Sequence, residues 1–144
     1  MNENLHLEIV TPFGKTFSEE VVSCVVPGVK GQFQILTNHA AVISNITVGA
    51  IKIKTDDKDN VFIATSGGFC EVRNNEIKVI VESAEKAEDI DVDRALESKK
   101  RAEERLKTKS EKNDYNRAKV ALNRAINRIH VTDYISWFAS GFYI

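Results

Sequence analysis

Six of the seven glycines (Gly14, Gly28, Gly31, Gly49, Gly67, Gly68) and both prolines (Pro12, Pro27) fall within the first 68 residues, and neither type recurs from Phe69 to Ser140. Glycine supplies the positive φ of tight turns and proline cannot sit inside a helix, so frequent chain reversal is confined to the first part. The rest must run in long elements. Between Glu82 and Arg128, 47 residues carry 24 charged side chains, 13 basic and 11 acidic, with interleaved signs and alanines at helical spacing. That composition favours helix. The change of character divides the chain into a region 1–86 and a region 87–144.

In the first region Leu5, Leu7 and Ile9 alternate with polar neighbours, as do Ile51 with Ile53 and Ile77 with Val79 and Val81. A period of two predicts half-buried strands. Asn74-Asn75 and the segment 56–60 are hairpin connections between such runs. About eight to ten strands in ~80 residues point to a β-sandwich or flattened barrel rather than a βαβ fold. Ser66-Gly67-Gly68 stands between strands, where bare backbone marks a bend or close strand packing more often than a phosphate cradle.

The second region predicts an antiparallel two-helix hairpin. Asp91 is placed to cap a helix reaching about Thr108, 109–113 forms the turn, and Asn113 or Asp114 caps a second helix. In that helix Tyr115, Ala118, Leu122, Ala125 and Ile129 form one stripe. In the first, Ala95, Ala102 and Leu106, helped by Leu96, form a weaker one. Alanines allow close approach but bury little apolar area, so the hairpin is expected to be only marginally held.

Twenty basic and 21 acidic residues leave a net charge of −1. This argues against a dedicated nucleic-acid binder, which concentrates Lys and Arg on one face. No segment approaches the ~20 apolar residues of a membrane span, and the first six residues show no targeting peptide; the reading is cytoplasmic. Cys24 and Cys70 lie in apolar runs as buried small hydrophobes, and His6, His39 and His130 lack ligand spacing to them, so no metal site is expected. There is no G-x-x-x-x-G-K-[ST] loop, no G-x-S-x-G and no paired-carboxylate site. The expectation is a protein that is not an enzyme.

Four stretches in order carry a resemblance: Ile9-Val10-Thr11-Pro12; Gly31-Gln32-Phe33-Gln34-Ile35-Leu36 leading to Asn38-His39; Ser66-Gly67-Gly68-Phe69-Cys70-Glu71-Val72; and Ile90-Asp91-Val92-Asp93-Arg94-Ala95. With their spacing from Leu5 to Val131, the chain resembles the epsilon subunit of bacterial F-type ATP synthase. The resemblance implies a non-catalytic central-stalk (rotor) subunit at the cytoplasmic face of the plasma membrane, membrane-associated only through its complex. The sandwich would bind the gamma subunit and rest on the proteolipid c-ring, coupling proton flow to ATP synthesis. Mobile C-terminal helices would reach the alpha/beta catalytic head and inhibit ATP hydrolysis. The alternative function is a stand-alone nucleic-acid-binding or interaction module.

Gly31, Gln32, Asn38 and His39 match the family segment that faces the ring and gamma. The family usually has an acidic residue at Gln32, a glycine at Gln34 and prolines at Thr37 and Ala41, so here the tip loses a charge and some rigidity. Read without the family, His39 is a surface-loop residue making local backbone bonds.

In some bacterial members the Ile90–Ala95 motif and two arginines of the second helix bind regulatory ATP, with or without Mg; otherwise no cofactor is implied. The matching positions are Asp91, Arg94, Ala95, Arg124 and Arg128, with Glu85 or Asp91 to accept from the adenine amino group. Arginine forks suit polyphosphate, and two arginines four apart share a helix side. A second reading stands beside this one: Asp91 as an N-cap, Arg94 as its i,i+3 partner, and Arg117, Arg124 and Arg128 as a solvated stripe opposite the apolar one.

Beyond Val131, where the family commonly stops, five of the eleven aromatics follow: Tyr134, Trp137, Phe138, Phe142 and Tyr143. This tail is read either as an extra anchor on protein or as a locally packed continuation of the helix.

Overall fold

A computed structural model describes residues 3–56, 60–108 and 112–139, without side chains at 112, 113 and 136–139. The chain divides into two compact units, Met1–Lys86 and Ala87–Ile144.

The first unit has ten strands: β1 (Leu5–Thr11), β2 (Gly14–Val21), β3 (Ser23–Gly28), β4 (Gly31–Ile35), β5 (Val42–Ile46), β6 (Gly49–Lys54), β7 (Asn60–Thr65), β8 (Gly68–Arg73), β9 (Glu76–Val81) and β10 (Ala84–Lys86). They are ordered β10-β7-β6-β3-β5-β8-β9-β1-β2, with β4 on β3. Every pairing is antiparallel except β1 with β9. Strand β3 makes the corner: Ser23–Val25 pair with β6, whereas Gly28 at its far end pairs with Ile46 of β5. One ribbon thereby bends into a nearly closed, flattened barrel, which is the sandwich the alternating pattern predicts.

Period-two burial fills it. Leu5, Leu7 and Ile9 of β1, Ile51 and Ile53 of β6, and Ile77 and Val79 of β9 are each at most 1% exposed and share one core cluster. Cys24 and Cys70 are fully buried free thiols in the same cluster. Asn74 and Asn75, with φ of 51° and 62°, connect the paired ends Arg73 and Glu76. Two consecutive positive φ values are what a type I′ hairpin requires, and asparagine tolerates them.

The second unit opens with a 3-10 turn (Ala87–Asp89), followed by α1 (Val92–Lys107) and the 28-residue α2 (Lys112–Ala139). Asp91 caps α1, its carboxylate accepting from the Arg94 backbone N–H at 3.2 Å. The seam between the helices is Ala95 and Ala102 on α1 with Ala118 and Ala125 on α2, all at most 2% exposed. Three expectations are corrected. The second helix begins at Lys112, so Asn113 is helical and the turn ends before it; positions 109–111 lie outside the described residues. Tyr115 is not part of the buried stripe; it stands 47% exposed, one turn before the buried Ala118. Leu96 is likewise exposed, since Ala95 beside it takes the seam position. The aromatic tail begins inside α2, which runs unbroken to Ala139; 140–144 lie outside the described residues.

Candidate functional site

The barrel presents three features that can meet a partner. The first is the β3–β4 reversal, where Gly28 pairs with Gly31 and Pro27 with Gln32. Gly31 has φ +132° and open space around its Cα, so the tip is narrow and exposed.

The second is the turn after β4. The His39 N–H donates to the Leu36 carbonyl at 3.2 Å, with Asn38 at φ 65° and Thr37 not in the positive region. Positive φ only at the third residue is the type II arrangement, which asparagine or glycine must fill. His39 Nδ1 lies 2.7 Å from the Ala40 carbonyl, a local backbone bond. The four predicted contact residues are therefore not brought together. The extended strand from Gly31 to Ile35 separates them by about 13 Å. Gly28, beside Gly31, pairs with Ile46 at the Gly68 end of β8, whereas Asn38 bonds Asn75 at the Arg73 end.

The third feature is one that periodicity concealed. On the outward face Phe69 of β8 stands opposite Ile80 of β9, and Ile80 opposite Val10 of β1. Phe69 and Ile80 are 44% and 39% exposed, and Ile43 on neighbouring β5, opposite Glu71 and diagonal to Phe69, is 75% exposed. Two rows of charge border this apolar row on one side. Glu71 faces Lys78, Lys78 faces Glu8, and Glu8 bonds Lys15 Nζ at 3.5 Å; beyond them Arg73 faces Glu76, which faces His6. An apolar band on an outer sheet face with a charged border has the make-up of a protein contact surface.

The residues matched to nucleotide binding distribute over both units. Glu85 sits half-buried in β10, opposite Ala64, within the first unit. Asp91, Arg94 and Ala95 form the first turn of α1 in the second unit. Asp91 spends its carboxylate on the cap, Ala95 is fully buried in the seam, and the Arg94 residue is exposed. On α2, Arg124 is exposed and Arg128 half-buried. Arg124 lines a shallow groove with Asn116, Arg117, Val120 and Ala121. The exposure of Arg124 fits a solvated stripe, whereas Arg128 is half-buried and departs from it.

Burial pushes the Cys70 thiol up to about 12, with Glu71 adding to it, and raises Cys24 further, chiefly by burial and secondarily through Cys70. Both thiols are held neutral inside the barrel and offer no nucleophile.

Two family models tile the chain: the ATP synthase delta/epsilon chain β-sandwich domain over 4–87 and the delta/epsilon long α-helix domain over 88–133. This chain belongs to the ATP synthase epsilon chain family. An epsilon chain from Nitratidesulfovibrio vulgaris is 46% identical over 132 residues, covering 91% of this chain and 97% of the relative. Another, from Desulforamulus reducens, is 42% identical over 133 residues, 92% of this chain and all of the relative. A chain in the Euglena gracilis mitochondrial ATP synthase (OSCP, F1 and c-ring) shares the fold, with TM-score 0.78, 15% identity, and coverage of 88% of this chain and 80% of that one. A chain from the central stalk and c-ring of the Tetrahymena thermophila enzyme follows at TM-score 0.60, 13% identity, and coverage of 91% and 98%. Epsilon-family membership therefore extends over both units, while the helix-domain match ends at Asp133 and leaves the aromatic tail outside it.

Proposed function

We propose that this chain is a non-catalytic rotor subunit of a proton-translocating ATP synthase, seated on gamma and the proteolipid c-ring, with its helical hairpin regulating hydrolysis by the alpha/beta head. The observation that carries the reading is the outward apolar row Val10–Ile80–Phe69 with Ile43, on a barrel whose relatives are epsilon chains nearly from end to end. A barrel that must transmit torque needs more than one contact, because a single patch leaves it free to pivot. Here the Gly31–Gln32 tip, the Asn38–His39 turn and the apolar row give three patches on one rigid body, which suits a subunit held between gamma and the ring. Among the described residues no helix is long and apolar enough to cross a membrane, which fits a peripheral subunit at the cytoplasmic face.

The hairpin carries regulation in this reading. Its seam of four alanines buries little area per residue, so the pairing of α1 with α2 is held by a small margin that a ligand or a partner can reverse. ATP bound through Arg94, Arg124 and Arg128, with Asp91 toward the base, stabilises the conformation it selects by about 2.7 kcal/mol at a hundredfold excess over Kd. Released, the basic α2 face meets acidic surfaces of the head and blocks hydrolysis.

Two measurements test this. In the assembled complex, ending the chain after Glu88 raises ATP hydrolysis; an unchanged rate removes the inhibitory role. Titrating ATP into the full chain, followed by Trp137 emission, gives a saturable change that Arg94→Ala weakens; a flat titration removes the sensor and leaves the mechanical role.

A further inference from the structure

Among the described residues Asn75 is one of three buried polar residues of the chain, 4% exposed, and it lies in a hairpin turn, where side chains usually face water. Its amide is turned toward a different loop. Asn75 Oδ1 accepts the backbone N–H of Asn38 at 2.6 Å, and Asn75 Nδ2 donates to Asn38 Oδ1 at 3.3 Å. Because a backbone N–H can only donate, the first bond fixes which end of the Asn75 amide is oxygen, and the second then fixes Asn38. Its own carbonyl accepts the His6 N–H at 2.8 Å. One residue thus ties the start of β1, the β8–β9 turn and the turn after β4.

The reciprocal pair has a conformational consequence. Asn38 holds φ 65°, a left-handed region that a non-glycine residue keeps when its surroundings offset the cost. The Asn75 side-chain bonds at 2.6 and 3.3 Å both reach Asn38, so the clamp acts on that residue and on the presentation of His39 after it. Segment 36–41 has no proline, and it turns on the bond from the His39 N–H to the Leu36 carbonyl. The rigidity that prolines would give the turn is supplied from the side, by a buried amide.

We propose that Asn75 is a positioning residue: it locks Asn38 in the left-handed region and so holds the Asn38–His39 turn in the form in which it contacts the stalk. This rests on the reading that the turn belongs to the interface with gamma and the ring. Asn75→Gly removes the amide while keeping a residue that accepts φ 62°. In the full chain it accelerates hydrogen exchange of the Asn38 amide by about tenfold or more, while amides of β6 and β7 keep their protection. It weakens binding to a purified gamma–c-ring complex by about tenfold, the equivalent of one lost buried hydrogen bond. Thr37→Pro, which presets the second position of a type II turn, restores that affinity in the Asn75→Gly background. Unchanged Asn38 exchange in Asn75→Gly overturns the clamp. Accelerated exchange with affinity that Thr37→Pro fails to restore overturns positioning. Affinity unchanged in both Asn75→Gly and His39→Ala overturns the interface reading itself, whatever the exchange data show.

Discussion

Gly68 of β8 lies so close to β9 that a Cβ built on it collides with the carbonyl oxygen of Ile80 and comes within 2.8 Å of the Val81 Cα. Both obstacles are backbone, so no rotamer change relieves them. Gly68→Ala is expected to destabilise the barrel by about 2–3 kcal/mol, the upper end for overpacking. Gly31→Ala meets no atom within 4 Å and bears only its φ of +132°; its cost is about 1–2 kcal/mol. Urea unfolding of the two variants checks the order, and a less stable Gly31→Ala would contradict the close-packing assignment.

Cys24 and Cys70 predict a pH dependence with a definite sign. Both thiols are held above their ordinary value of 9.0, Cys70 up to about 12. Above pH 9 the unfolded chain loses thiol protons that the folded chain keeps. The unfolded state then binds fewer protons, and stability falls as pH rises. The slope is about 1.4 kcal/mol per pH unit for each thiol between pH 9 and 11. Denaturant unfolding at pH 8, 10 and 11 should show it, and Cys24→Ala with Cys70→Ala should remove that contribution. In the folded protein at pH 8 neither thiol should react with a water-soluble maleimide until the barrel opens.

Elements that depend on local chemistry were legible in the sequence. Alternation located Ile77, Val79 and Val81 as inward, Asn74-Asn75 announced a two-residue turn, and Asp91 announced its helix, because each signal lies within a few residues. What was not legible depends on register. Val10, Phe69 and Ile80 look like unrelated lapses in three separate patterns, and only the parallel pairing of β1 with β9 and the antiparallel pairing of β8 with β9 line them into one row. The same holds for Asn38 and Asn75, 37 positions apart. Tyr115 was assigned to the stripe because a helical wheel gives an angle but does not say how deeply each turn is buried.

The Asp91 carboxylate bonded to the Arg94 N–H gives a way to separate capping from ligand binding. Asparagine caps about as well as aspartate, whereas alanine forfeits about 1 kcal/mol. Asp91→Asn should therefore leave thermal stability of the full chain within about 0.5 kcal/mol, and Asp91→Ala should lower it by about 1 kcal/mol. Arg94→Ala should leave it unchanged, since the cap uses only the Arg94 backbone. Equal loss in Asp91→Asn and Asp91→Ala would mean that the charge, and not the cap, is what α1 requires.

The outward row predicts a separation between folding and assembly. Ile80 is 39% exposed and Ile77, three residues earlier on the same strand, is 1% exposed. Exchanging an exposed side chain away from special backbone changes stability by about 0.5 kcal/mol or less, whereas emptying a core position costs about 2–5 kcal/mol. Ile80→Glu should keep the thermal midpoint close to the parent while weakening association with gamma by tenfold or more, because a carboxylate would be desolvated between Phe69 and Val10. Ile77→Ala should do the reverse, lowering the midpoint strongly while folded molecules retain their affinity. Analytical ultracentrifugation of each variant with purified gamma, beside its melting curve, reads both quantities. If Ile80→Glu bound gamma as tightly as the parent, the apolar row would be an outer face left to solvent, and the contact would have to lie at the Gly31–Gln32 tip or the Asn38–His39 turn.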